Sequence, residues 1–230
     1  MALGLQSPWF VEKIEFTESG KKLRELHIHI EFTKGAKFQD ATAVDCAIHD
    51  TVKRQWQHLN FFEHHCYIYA RVPRIKTSGG KVQNIEVPWA RSGSGFTLLF
   101  EAFAMLLIES EMPVNKAAAL LKVYPKRLWT MFNYWITRAL RKDTQSTVTA
   151  IGIDETSRKK GHEYVTVAVD LHEKRVLFVT EGKDEKTIVS LKEHFVTKQV
   201  PPEQIEQVSI DMSPAFIAGK LNFDYPLYST

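Results

Sequence analysis

The apolar positions of this chain change their period twice, and each change divides it. From Trp9 to about Pro88, β-branched and aromatic residues come in short runs between turn signals: Trp9 to Phe16, Glu25 to Phe32, Cys66 to Ile75 and Val82 to Val87. Such runs predict strands, with Ser78-Gly79-Gly80 suited to a hairpin turn. From Gly95 the period lengthens. Phe96, Leu99, Phe100, Phe103, Leu106 and Leu107 recur at the spacing of one helix face, and Ser92-Gly93-Ser94-Gly95 reads as a linker before them. A second helix is predicted from Val114 to Leu121, after Pro113. A third is predicted from Pro125 to about Leu140, since proline is tolerated in a first helical turn. After polar Asp143 to Thr147 come three β-rich runs, Thr149 to Asp154, Tyr164 to Asp170 and Arg175 to Thr180, whose short connections predict an antiparallel meander. Asp184 to Phe195 carries Ile188, Leu191 and Phe195 on one helical face, and Gln207 to Ile210 returns to strand. The pattern predicts an α+β, multidomain chain: a β-rich module over 1–91, a helical region over 92–145 and an α/β domain over 146–230.

Composition narrows the class. A chain of 230 residues, 44% of them hydrophobic, can bury a real core, and two or three small domains suit that length. No stretch approaches the roughly 18 apolar residues of a membrane span, and Met1 to Phe10 lacks a basic-then-apolar leader, so a cytoplasmic protein without a membrane partner is expected. Cys46 and Cys66 are too few for a disulfide scaffold and should stay reduced. The net charge of +3 hides an asymmetry: residues 71–142 hold 12 basic against 4 acidic side chains, whereas 1–70 hold 8 against 9 and 143–230 hold 10 against 14. A basic middle suits a polyanion-binding segment. A solvated basic face would look the same, so the charge needs a motif beside it.

Two aspartates supply candidate chemistry. Asp154 closes the apolar run Ala150-Ile151-Gly152-Ile153, and Asp211 closes Val208-Ser209-Ile210. If the order β, β, β, α, β is that of an RNase H-like sheet, the first and fourth strands lie side by side and the two carboxylates meet. Close carboxylates repel, and a pair of Mg²⁺ or Mn²⁺ ions relieves that while supplying hard oxygen coordination for phosphoryl transfer. The competing reading makes both aspartates ordinary strand-end residues. Asp170 is assigned to a turn with His172, and Glu155, next to Asp154, should face the other way.

At these residues the chain resembles a known family. Ile151-Gly152-Ile153-Asp154-Glu155, Lys160-Gly161-His162 and Ser209-Ile210-Asp211-Met212-Ser213-Pro214 look like the DDE transposases of the ISL-three insertion-sequence family. The likeness extends upstream through His49-Asp50, Trp56-Gln57-His58-Leu59 with Phe61-Phe62, Arg71-Val72-Pro73-Arg74, Val87-Pro88-Trp89-Ala90-Arg91 and Ser94-Gly95-Phe96-Thr97. It implies a zinc-ribbon-like first module, a helix-turn-helix region and an RNase H-like catalytic domain that uses two aspartates and a later glutamate. By that match Asp154 and Asp211 are the first two ligands of a two-metal Mg or Mn site that cleaves and transfers DNA strands. The partner implied is double-stranded DNA at insertion-element ends, with self-association left open.

The remaining expectations follow from where the chain matches and departs. In a helix-turn-helix the second helix enters the major groove by its N-terminal end, which places Lys122, Lys126 and Arg127 there and Lys116 on the helix before. Lysines so placed position the duplex more than they read it, and a helical hairpin that merely packs is the alternative. Cys46-Ala47-Ile48-His49 has metal-ligand spacing, and His64, His65 and Cys66 are further donors. Where a second cysteine pair would be expected, Thr77 to Gly80 reads Thr-Ser-Gly-Gly, so zinc competes with a metal-free relic in which both cysteines are core residues. His27 and His29 alternate on one strand face and need no function. Glu203 and Glu206 precede Asp211, and Asp224 lies in the proline-containing stretch that leads to Thr230, so none fills the place of the later glutamate. The expectation is a truncated, inactive catalytic domain. The alternative is a DNA-binding remnant or repressor without catalysis.

Overall fold

A computed structural model describes residues 3–19, 23–40, 42–77, 79–159, 163–182 and 185–210. The chain divides into two compact units, 1–137 and 138–230. Among the described residues no helix is long and apolar enough to cross a membrane.

The first unit opens with strands β1 (Trp9–Ser19), β2 (Leu23–Phe32), β3 (Phe38–Gln39), β4 (Asp45–Cys46), β5 (Ile48–Phe61), β6 (His64–Lys76) and β7 (Val82–Asn84). The main sheet runs β1-β2-β6-β5 with β7 on β6, and β3 pairs only with β4. β2 and β6 are parallel, which leaves β6 between β2 and its hairpin partner β5. Alternation makes one face the core: Ile30, Trp56, Ile68, Ala70 and Val72 pack there with Trp9, Trp89 and Ala90. Trp89 stands edge-on to both Trp9 (4.9 Å) and Trp56 (5.5 Å). The 14-residue β5 has no counterpart among the strands expected from the sequence. Its first half carries Asp50, Lys53 and Arg54 among few apolar residues, so its burial is decided by its neighbours rather than by its own pattern.

Three helices follow: α1 (Leu98–Glu109), α2 (Val114–Leu120) and α3 (Pro125–Lys142). Phe96 belongs to no helix. Thr97 caps α1, its hydroxyl accepting from Phe100 N, and Phe96 instead forms a parallel bridge to Gln57 of β5. The helices share a core of Phe96, Phe100, Ala104, Val114, Ala117, Ala118, Leu121, Leu128 and Met131. Ser92–Gly95 is no free linker. Gly95 O accepts from Gln57 N, and Ser94 Oγ donates to Glu101 and accepts from Phe96 N. Glu101 is fully buried and also accepts from Arg91 Nε (2.8 Å) and Trp135 Nε1 (2.7 Å).

In the second unit β8 (Ala150–Lys159), β9 (Glu163–Asp170) and β10 (Arg175–Glu181) form the expected antiparallel meander. α4 (Glu185–Thr197) and a single 3-10 turn at Pro202–Gln204 lead to β11 (Gln207–Ile210). β11 returns parallel to β8, so the order is β10-β9-β8-β11. α4 covers one face, packing Ile188, Leu191 and Phe195 against Ile151, Ile153, Ala168, Leu177 and Val208. β8 continues past the apolar run to Lys159, so Asp154 lies mid-strand rather than at a strand end. The apolar signal stops earlier because the β8–β9 hairpin projects beyond the core.

The buried Glu101 carries the first prediction. Glu101→Ala strands Arg91 and Trp135 and should cost about 3–5 kcal/mol of unfolding free energy in urea melts followed by tryptophan fluorescence. A loss below about 1 kcal/mol would contradict that role. A second concerns pH. Burial pushes His58 below the ordinary imidazole value of 6.5; at His194 burial and Lys198 do the same while Asp143 opposes them. The unfolded chain therefore protonates at these sites before the folded one. Stability should be level above pH 6.5 and decline as the pH falls below it, less steeply in His58→Gln. Stability that rises on acidification would refute this.

Candidate nucleic-acid interface and metal-binding edge

The connection between α2 and α3 is built by backbone geometry. Lys122 adopts φ 55°, and its N–H bonds Ala119 O while Val123 N–H bonds Ala118 O, the paired closure that usually ends a helix on glycine. A lysine there carries a left-handed backbone cost of about 1 kcal/mol. Its ammonium reaches Glu63 O (3.4 Å) at the β5–β6 turn. Lys116, Lys122, Lys126 and Arg127 are all exposed, as an interface requires. Lys126 and Arg127 sit in the first turn of α3, where no acidic residue is present and the helix dipole disfavours cations. Leu128 and Met131 turn inward, so the packing of this helix does not account for the charge of exposed Lys126.

Arg127 is also engaged within the protein. Its guanidinium lies 4.1 Å over the Phe96 ring, and a Cβ on Gly95 would come within 3.1 Å of its Nη2. Arg127 thus fastens the start of α3 to the segment that pairs with β5. Trp129, on the solvent side, donates to Asn115 Oδ1 across the two helices (3.2 Å).

At the other candidate site Asp154 is exposed and lies on the face away from α4, opposite to Ile151 and Ile153. Its Oδ1 accepts from Glu155 N (2.7 Å). Gly152 shares that face; a Cβ there would meet the side chains of Leu171 at 2.9 Å and Val169 at 3.1 Å, so a larger residue would make them shift. The parallel register pairs Ile153 with Ile210, the residues that precede the two candidate aspartates. Asp211 itself lies outside the described residues, as do Lys160-Gly161-His162, Ser78, Asp184 and all of 211–230. Asp170 does form a turn, its Oδ1 accepting from His172 N and Glu173 N.

The zinc expectation finds no ligand set. Cys46 is buried and donates to Val44 O, its thiol pushed up by burial and by Asp40, whereas His49 is exposed. Cys66 lies in the sheet core, where burial pushes its thiol up to about 11. Among the described residues no three His, Cys, Asp or Glu side chains gather to hold a metal.

The helical region and the sheet that carries Asp154 each have a counterpart among known proteins. Residues 85–136 match the helix-turn-helix domain of transposase family ISL3, and 151–222 match the ISL3 DDE domain described as a transposase. The chain belongs to the ISL3 family of insertion-sequence transposases. It is 28% identical to the transposase for insertion sequence element IS1557 of Mycobacterium tuberculosis over 138 residues, 59% of this chain and 30% of that protein. It is 25% identical to the transposase for IS1001 of Bordetella parapertussis over 223 residues, 94% of this chain and 52% of that one. The chain therefore spans about a third to a half of these relatives. A simian T-cell lymphotropic virus intasome in complex with PP2A regulatory subunit B56 gamma aligns at 14% identity over 55% of this chain and 50% of that one, with a TM-score of 0.31, too low to carry an argument.

The geometry of Lys122 is testable. Lys122→Gly removes the left-handed cost but adds about 0.4–1 kcal/mol of freedom to the unfolded chain, so the thermal midpoint should hold or rise slightly. A clear fall would mean that the lysine side chain contributes to the fold.

Proposed function

We propose that this chain binds duplex DNA at insertion-element ends through α2 and α3, and that Asp154 and Asp211 are the first two carboxylates of an RNase H-like DDE centre. The observation that carries the second part is the parallel register of β8 and β11. Ile153 stands opposite Ile210, and the next residue in sequence after each is a candidate aspartate. Asp154 offers a hard oxygen donor on an open face, which suits Mg or Mn. Bound there, such ions would activate a water or 3′-hydroxyl and stabilise the leaving oxygen of a phosphodiester. The protein's share is to hold the carboxylates on rigid neighbouring strands.

For DNA the support is the charge of α3's first turn, which the fold opposes and a polyphosphate would favour. Lys116, Lys122 and Lys126 are read as phosphate contacts that position the duplex. Arg127 combines a contact with its packing on Phe96. In this reading the helix-turn-helix fixes where the DNA lies, and the sheet supplies the edge on which cutting and joining depend.

Anisotropy titration of labelled duplex with residues 1–230 tests both parts. Lys122→Ala or Lys126→Ala should weaken binding and lower the slope of log affinity against log salt by about 0.9 each. Asp154→Ala should leave that binding unchanged while removing Mn²⁺ uptake and any metal-dependent cleavage of element ends. Unaltered salt slopes would remove these lysines from the interface, and full Mn²⁺ uptake by Asp154→Ala would remove that aspartate from the site.

A further inference from the structure

The face of the first sheet opposite its core is aromatic. β2 sends Leu26 and Ile30 inward and β6 sends Cys66, Ile68 and Ala70 inward, which turns His27, His29, Tyr67 and Tyr69 to the other side. The parallel register sets His27 opposite Tyr67 and His29 opposite Tyr69. The rings form one chain: Tyr67 to His27 at 6.1 Å, His27 to Tyr69 at 4.8 Å, and Tyr69 stacked on His29 at 5.2 Å and 17°. All four are half-buried, and the core of the unit, on the other face of the sheet, does not use them.

The charges around this strip suit a polyanion at both ends. Three carboxylates around it are already paired: Glu25 with His27 (3.0 Å), Glu15 with His29 (3.1 Å) and Lys13 (2.5 Å), and Glu31 with Arg71 (2.8 Å). At the His29–Tyr69 end lies a hollow of about 310 Å³ lined by Lys53, Arg54 and Arg71, and also by Glu12 and Glu31. The other end meets the helices. Gln57, opposite Tyr67 in the β5–β6 register, bridges to Phe96, and Arg127 stacks on that ring, so the cation at the start of α3 lies near the first ring of the strip.

We infer that this sheet face is a stacking platform for an unpaired DNA strand that continues from the duplex held by α2 and α3. The inference rests on the duplex reading above. Paired bases are already stacked and offer a protein only edges and phosphates, whereas unpaired bases offer ring faces, which Tyr and His side chains accept without regard to sequence. Basic groups flank the rings where the strand's phosphates would run. The platform joins the helix-turn-helix through Arg127 and so extends that surface.

The test uses the full 230-residue chain and two labelled probes, a blunt duplex and the same duplex with a short single-stranded arm. The arm should tighten binding about tenfold or more, and Tyr67→Ala with Tyr69→Ala should erase that gain without changing the affinity for blunt duplex. Tyr67→Phe with Tyr69→Phe should keep it, since stacking needs the ring and not the hydroxyl. Equal binding of both probes by the unsubstituted chain overturns the platform, whether or not the variants fold. A preference that survives the alanine pair overturns it too, as does an alanine pair that alters only self-association in light scattering. Failure to bind blunt duplex while the free arm still binds would instead sink the duplex reading and leave the platform standing.

Discussion

The first unit hinges on a single buried carboxylate. Glu101 has no solvent exposure, and its oxygens accept from Ser94, Arg91 and Trp135. Removing a carboxylate from water costs several kcal/mol, which only a full set of donors offsets. The donors come from the Arg91–Ser94 loop and from α3, so satisfying Glu101 fixes both against α1. Arg91, held by this pair, lies 3.8 Å from the centroid of Tyr134 on α3. An apolar residue could fill the same space, but it would not set the rotation of α3 about its axis. That rotation decides which side chains of α3 face outward.

From that point the order spreads to the sheet. Ser94 holds Phe96 N, Gly95 and Thr97 bond the backbone of Gln57, and His58 shares a 2.8 Å hydrogen bond with Thr97 Oγ1, the cap of α1. Arg127 closes the circuit by stacking on Phe96. The helices and β5 are therefore parts of one structure, although β6, β7 and a Ser-Gly stretch separate them in sequence. Lys126 and Arg127 can stand against the helix dipole because the surrounding contacts over-determine the turn that carries them.

What was legible in the sequence was what depended on neighbours in sequence. The helical faces of α1 and α3, the meander of the second unit and the short β11 follow from local period and appear where expected. The expected phase at Phe96 failed because the N-cap at Thr97, three residues before Phe100, starts the helix later than its apolar pattern does. β5 escaped because half of each face is settled by other strands. The Ser92–Gly95 stretch read as a linker because its bonds go to Gln57 and Glu101, which composition does not reveal. His27 and His29 read as idle, since only the parallel register of β2 on β6 sets them beside Tyr67 and Tyr69. Among the catalytic candidates, Asp154 stands out in the sequence by its apolar run, which marks a strand end where the strand in fact continues to Lys159.

The second unit poses an electrostatic question that its register sharpens. Asp154 stands on a strand whose next neighbour, β11, returns only after a helix, so the two candidate aspartates are 57 positions apart in the chain. Ile153 and Ile210, which precede these two carboxylates in sequence, are paired in the parallel register. Two such groups repel, and the repulsion is relieved either by a proton on one of them or by a divalent cation between them. Wherever a fold brings two carboxylates together, a cation that relieves their repulsion also stabilises that fold, so cation uptake and folding stability are linked.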